Sequence, residues 1–409
     1  MEYIIEKERK TPVKQKADII VAGGGVAGVS AAIAASRMGA SVLLIERYGQ
    51  LGGMATGGLV TKHLGFGRLK FGLNKEIGER ILSQGSGIIL RKEGPWEWIE
   101  DMGFDSKESI LYDGEDMKYL LERMLIENNV SFQYHSYIVG AVVEENLIKG
   151  VINEDKTGRN VATGKIIIDA TGDGDVFASA GEEYEVEEHP WGLGLGHRYG
   201  GVDIERALKF RSENVKEYAD IIEELKGIVG VRYYWNPSAR PGITLCMGPR
   251  VYGYDVLDPK DSTRLEIDGK FIAASALEFL REKLPGFENA FMVEYAPQFG
   301  IRVTRRLKGE YILSSEEVKN GARFTDAVIK SIYDVPYQCL LPRKLGNLMV
   351  AGRCISMDPG VDELRLIGPC IATGEVTGVA AALSIKKGIP PRSLNVSDLQ
   401  AALQGKTLP

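Results

Sequence analysis

Gly23, Gly25 and Gly28 stand at GxGxxG spacing directly after the apolar run Ile19 to Ala22, and Glu46 follows 18 residues beyond Gly28. These residue types in that order are suited to a dinucleotide. The first glycine permits a tight turn out of a strand, the second lets the backbone approach a pyrophosphate, and the third allows a helix to pack close to the sheet. Val26 and Ala27 then open that helix, whose N-terminal amides and dipole favour phosphate charge. Glu46 is placed to accept a ribose hydroxyl, with Arg47 beside it.

The elements that position these groups are legible around them. Ile19 to Ala22 reads as a buried strand, about Val26 to Met38 as a helix, and Ser41 to Ile45 as a second strand, which together make a complete βαβ unit. Leu51 to Gly58, LGGMATGG, follows as a loop in which Gly52 and Gly53 let the chain run close to the ligand and Met54 and Ala55 continue along it. A later strand, Lys165 to Ala170, delivers Ala170, Thr171 and Gly172 to the carboxyl edge of the sheet, where ligands of open α/β sheets bind. Asp173 either orders that turn or reaches the ligand. Leu348 to Gly352 is another short strand and leads into Arg353, which either sets charge near the phosphates or pairs with Asp358 or Asp362. Gly368-Pro369 opens a final small-residue helix to Lys387, with the amides of Cys370, Ile371 and Ala372 pointing outward.

Between these parts the pattern changes. Phe132 to Gln133, Ile138 to Val143 and Leu147 to Asn153 suggest a meander. From about Gly174 to Tyr333 the chain is more polar and aromatic, with strand-like pieces at Gly196 to Gly201, Gly242 to Met247 and Val251 to Leu257. A long helix is expected over Ser262 to Leu284, with Ile267, Phe271, Ala274, Leu277, Phe279 and Leu280 on its inner side.

Composition excludes several classes. With 50 basic against 56 acidic residues and a net charge of -6, a nucleic-acid partner is not expected. The four cysteines, Cys246, Cys339, Cys354 and Cys370, form no CxxC pair, so no metal centre is expected and free thiols of a reducing cytoplasm are. Met1 to Lys16 is charged throughout and does not read as a signal peptide. Arg37 and Glu375 interrupt the two small-residue stretches, so no membrane span is expected.

Substrate chemistry needs an orienting group and a proton carrier. Arg302, Arg305 and Arg306 in GIRVTRR offer a basic face, with Arg302, Thr304 and Arg306 sharing one side if the segment is a strand; Glu310, Glu316 and Glu317 are their structural alternatives. His197 in GLGHRYGG and His63 are the proton-carrier candidates, each balanced against a purely structural role. Arg250, Tyr254 and Asp255 are further pocket candidates. Gly192 to Gly196, GLGLG, follows no buried strand and is not read as a second nucleotide site.

In their order, GGGVAG, IER, LGGMATGG, IIDATGDGD, FGIRVTRRLKGEYIL, NLMVAGRCISMD and RLIGPCIATGEVTGVAA make the chain resemble the bacterial FAD-dependent oxidoreductases over about Lys14 to Pro391. They also resemble the wider group of glutathione-reductase-like and fumarate-reductase-like two-domain flavoproteins. The resemblance implies an α/β fold, with a Rossmann-like FAD-binding domain of mostly parallel sheet and an inserted α+β substrate domain. The implied division is 1–65, 106–175 and 335–409 for the FAD domain, 66–105 for a cap segment and 176–334 for the insert. It further implies cofactor contacts from Ile138, Asp358, Gly368, Ile371 and Ala372, in addition to the glycines, Glu46, Arg47, Gly352 and Arg353. The expected activity is hydride exchange between flavin N5 and a small polar organic substrate, with an external electron donor or acceptor. An electron-transfer subunit and an NAD(P)H-dependent monooxygenase are the competing expectations.

Overall fold

The computed structural model describes residues 4, 8–64, 66–69, 71–90, 109–186, 192–231, 233–331, 333–361 and 363–405. Its centre is a five-stranded sheet in the order Leu348–Val350, Ile166–Asp169, Ile19–Ala22, Val42–Ile45 and Ser131–Gln133. Every neighbouring pair is parallel. The first four strands in that order are buried throughout, which is why they read as unbroken apolar runs rather than alternating ones.

Two helices sandwich into this core. Val26–Arg37 follows the first strand, and Ile367–Lys387 crosses it at very short range. A Cβ built on Gly374 would lie 2.0 Å from the Ala27 carbonyl oxygen, and one on Gly378 would lie 2.2 Å from that of Ala31. Only glycine permits that approach. By length and apolarity Ile367–Lys387 meets the criteria for a membrane span, yet in this fold it is almost wholly buried in the protein core. Close packing on a neighbouring helix accounts for its small, apolar composition.

An antiparallel layer, Tyr137–Glu144, Leu147–Asp155 and Gly158–Thr163, adds Val13–Lys16 in parallel at its edge. The expected meander is therefore corrected at its start, because Ser131–Gln133 joins the parallel sheet beside Val42–Ile45. Residues 66–69 and the helix Gly72–Ser83 pack onto the main core through Phe66, Leu69, Leu73, Ile77 and Ile81. The remainder of the expected cap, 91–105, lies outside the described residues.

The segment expected as the insert carries an antiparallel sheet in the order Trp235–Pro237, Thr244–Cys246, His197–Gly200 and Phe291–Tyr295. Helices Ile204–Glu213, Val215–Val229 and Pro259–Lys283 belong with it. Its own apolar clusters draw on residues from Leu193 to Phe299, with Leu59, Leu90 and Leu111 joining from outside. Phe177, Leu307, Leu313, Val328 and Ile329 instead belong to the main core.

Two expectations within the insert are corrected. Strand Arg250–Val251 ends at once, and residues 252–257 turn. The long helix starts at Pro259, capped by Asp258, and buries Leu265, Gly269, Ala273, Ala276, Phe279 and Leu280. Ile267 and Phe271 face outward, 48% and 70% exposed. Gly269 sets this face: a Cβ there would meet the Phe299 ring at 2.7 Å, so the helix docks through its small residues.

Candidate functional site

One cleft of about 2100 Å³ runs from the carboxyl edge of the parallel sheet into the insert. At the sheet end it is lined by Gly23, Gly25, Val26, Ala27, Glu46 and Arg47. A Cβ on Gly25 would meet nothing within 4 Å, so its backbone faces open space. Gly28 is absent from the lining because it packs: its Cβ would lie 1.9 Å from the Gly23 carbonyl oxygen. Gly23 and Gly52 have φ of +103° and +99°, conformations that favour glycine. The Gly52 amide donates to the Gly24 carbonyl at 2.8 Å, which holds the second loop against the first. Gly53, Met54 and Ala55 therefore line the same cleft, as do Ala170, Thr171, Gly172, Gly352 and Arg353.

Glu46 is buried, and its carboxylate accepts the Gly24 amide at 2.6 Å and the Tyr48 amide at 2.8 Å. Burial raises its pKa above the usual carboxylate range, partly offset by those amides and by the charge of Arg47. Asp173 does not contact the cleft. It is buried and bonds Arg353 at 2.7 Å, Arg47 at 3.5 Å and the Thr304 hydroxyl at 3.0 Å. Burial alone would lift its carboxyl, but Arg353 and then Arg47 outweigh that and hold it low. The partner of Arg353 is thus Asp173 rather than Asp358; Asp362 lies outside the described residues.

Asp169 beneath this turn accepts the amides of Thr171, Val176 and Phe177 and the Thr171 hydroxyl. These bonds fix the turn that presents Thr171 and Gly172. Burial pushes its carboxyl up to about 6.

The cleft continues between the antiparallel sheet and the two helices spanning 204–229. Its wall there includes Tyr218, Tyr233, Tyr234, Trp235, Arg250 and Arg302. Lys62 also lines it and is 3% exposed, with burial and nearby Arg211 both lowering its pKa well below the usual lysine value.

Family comparisons fit this arrangement. The model of the FAD dependent oxidoreductase family matches residues 18–332 and 329–403. The chain belongs to that family. It is an oxidoreductase, and FAD is its cofactor. In fold it is similar to a geranylgeranyl bacteriochlorophyll reductase-like protein from Thermoplasma acidophilum, at TM-score 0.51 and 15% identity over 96% of this chain and 83% of that one. It is also similar to p-nitrophenol 4-monooxygenase from Pseudomonas putida, at TM-score 0.52 and 13% identity over 96% and 86%. Anhydrotetracycline hydroxylase from Streptomyces rimosus gives TM-score 0.53 and 10% identity over 96% and 65%. No curated protein matches the chain.

The residues present fit FAD. The open backbone at Gly25, the buried acid Glu46 at the sheet edge and the glycine pair at Gly52 and Gly53 form one continuous cradle in the cleft. Several expected contacts lie elsewhere. Ile138 is half-buried in the antiparallel layer, away from the cleft lining. Asp358 accepts the Ser315 amide at 3.1 Å, and its carbonyl accepts from Arg306 at 2.6 Å, so it clasps a loop instead of approaching the cofactor. The last helix begins at Ile367 rather than Gly368, and the Cys370 amide already donates to the Leu366 carbonyl at 3.0 Å. Leu366, Ile367 and Cys370 reach the cleft, whereas Gly368, Ile371 and Ala372 do not.

The substrate candidates separate in the same way. Arg302 lines the cleft. Arg305 instead donates to the Asp173 carbonyl at 2.9 Å and to Asp175 at 3.0 Å. Arg306 is 2% exposed. The shared face is corrected because the strand begins only at Arg305, leaving 302–304 irregular. His197 is fully buried behind the wall, its ring nitrogens bonded to the Leu195 carbonyl and to the hydroxyls of Tyr199 and Tyr233. Burial lowers its pKa to about 4, so it remains neutral near pH 7. His63 is likewise buried, lowered to about 4, and lies behind Gly368. Tyr254 bonds Asp268 at 2.7 Å and Asp255 orders a turn, both off the cleft. Sequence reading missed Lys62, Tyr218, Tyr233, Tyr234 and Trp235. The polar, aromatic style of the insert was the available signal, without the spacing that would have singled them out.

Proposed function

We propose that this oxidoreductase is of dehydrogenase or reductase type and exchanges a hydride between flavin N5 and a carbon of a small polar organic substrate. The observation that supports it is the continuity of the cleft: the glycine-lined arm and the arm walled by the insert form one space. An electron-transfer subunit has no need of such a chamber. Bound flavin supplies the redox chemistry, and the protein contributes binding, orientation and electrostatics.

Those contributions are assigned to particular residues. Gly23, Gly25, Glu46, Gly52 and Gly53 hold the dinucleotide, and the buried Asp173 fixes Arg47 and Arg353 at the cleft wall. The Tyr233 hydroxyl, pinned by His197 and Tyr199, is a fixed polar group facing the substrate arm. Arg302 orients an acidic or carbonyl group of the substrate. The division into a split FAD domain and an inserted substrate domain, and membership of the two-domain group with glutathione-reductase-like and fumarate-reductase-like proteins, form part of the same proposal.

Anaerobic absorption spectra of the FAD-loaded protein against sugars, hydroxy acids, enoates, amines and NAD(P)H test this reading. Reduction of the oxidised flavin by an organic compound, or reoxidation of the reduced flavin by one, is the expected result. Reduction by NAD(P)H alone favours the monooxygenase, and response to neither kind of compound favours the electron-transfer subunit.

A further inference from the structure

The substrate arm presents a guanidinium with no hydrogen-bond acceptor or ion-pair partner among the described residues. Arg250 lines it half-buried, with a solvent-shielded Nε that has no hydrogen-bond acceptor among the described residues. Its guanidinium lies 5.7 Å from the Tyr234 ring centroid. Gln298, 6% exposed, also lines the cleft, but its amide nitrogen packs against Gly57 of the LGGMATGG loop, where a built Cβ would lie 2.6 Å from it.

The backbone brings Arg302 towards Arg250. Arg250 pairs with Gly194, and Gly194 in turn bridges Gly300, two residues before Arg302. A Cβ built on Gly194 would lie 3.4 Å from a guanidinium nitrogen of Arg302. Three chain segments thus bring Arg250 and Arg302 to one patch of wall. A buried donor without an acceptor is costly, and a ligand carrying oxygen acceptors removes that cost.

The neighbouring surface is aromatic. Tyr218, Tyr234 and Trp235 line the arm, and Arg211 lies 5.4 Å from the Trp235 ring. Aromatic walls select a planar or apolar body, while an unneutralised guanidinium selects an anion.

We infer that the substrate arm recognises an aromatic or conjugated carboxylic acid, its carboxylate on Arg250 and its ring against Tyr234. This inference rests on the proposed function and names the substrate class of that site. Arg302 borders the same patch and sets the orientation of the acid.

Equilibrium dialysis of the FAD-loaded protein with benzoate and cinnamate, each against its uncharged amide, provides the test. Cyclohexanecarboxylate and inorganic phosphate serve as an anion without an aromatic ring and an anion without an organic body. The aromatic acids are expected to bind more tightly than all these controls. Arg250→Gln is expected to weaken acid binding roughly 10- to 100-fold, the range for a charged hydrogen bond, and to weaken amide binding less, with flavin content unchanged. Tyr234→Leu, a second route should Arg250→Gln fold poorly, should erase the preference for benzoate over cyclohexanecarboxylate. Equal binding of acid and amide, or unchanged acid binding in Arg250→Gln, overturns the carboxylate assignment. Phosphate binding as tightly as benzoate overturns the aromatic one. Loss of flavin from the unmodified protein would count against the underlying reading, whereas retained flavin without acid binding counts against this inference alone.

Discussion

Glu46 performs two tasks with one carboxylate. It ties down the amides of Gly24 and Tyr48, and it forms the acidic lining of the dinucleotide arm. Glu46→Gln should therefore weaken FAD binding about tenfold, as expected for loss of one charged hydrogen bond. Fluorescence titration of the apoprotein measures this, and unchanged affinity would remove Glu46 from the cofactor site. The two buried histidines make a separate prediction. His63 and His197 are lowered to about 4, so between that value and the ordinary 6.5 the unfolded chain binds the protons that the folded chain refuses. Stability then falls as pH drops through this window, by about 3 kcal/mol for each histidine. Asp169, raised to about 6, acts in the opposite sense and returns part of the loss. Denaturant unfolding across pH 4 to 6.5 should show a flatter profile for His63→Phe than for the unmodified protein. At this scale the glycines and Glu46 were legible because local spacing defines their task. Arg250 was a pocket candidate, but its grouping with Arg302 was not legible, because residues 194, 250 and 300 meet only through tertiary pairing.

Elements were easier to read where burial was complete. The Ile19–Ala22, Val42–Ile45 and Ile166–Asp169 strands and the Val26–Arg37 helix lie within a residue or two of their expected bounds, since strands covered on both faces give continuous apolar runs. The helix Pro259–Lys283 shows the limit of periodicity. Its large residues Ile267 and Phe271 suggested one face, but Gly269 and two alanines set another by letting the helix approach the sheet. The same physics gives a prediction for the crossing of Ile367–Lys387 on Val26–Arg37. Gly374→Ala places a methyl against the Ala27 carbonyl and should destabilise the apoprotein by about 1–3 kcal/mol through overpacking. Urea unfolding checks this; a neutral substitution would mean that the helices are not held at that distance.

Across the whole molecule, the parallel sheet presents its carboxyl edge to one arm of a cleft and the insert walls the other. Cofactor binding and stability should therefore be coupled. FAD at 100 times its dissociation constant is expected to stabilise the fold by about 2.7 kcal/mol if it binds only the native state. Sequence order shows that the strands of the parallel sheet come from separate stretches of the chain, whereas the meeting of residues 204–250 with the sheet edge in one cleft depends on tertiary packing. The central claim, that a carbon-bound hydride crosses between the two arms, is tested most directly by anaerobic single-turnover spectroscopy with an organic substrate that reduces the flavin. Substrate deuterated at the donor carbon should reduce the flavin measurably more slowly than the protiated compound, with deuterium lost from that carbon. Equal rates together with full retention of deuterium in the recovered product would contradict the account.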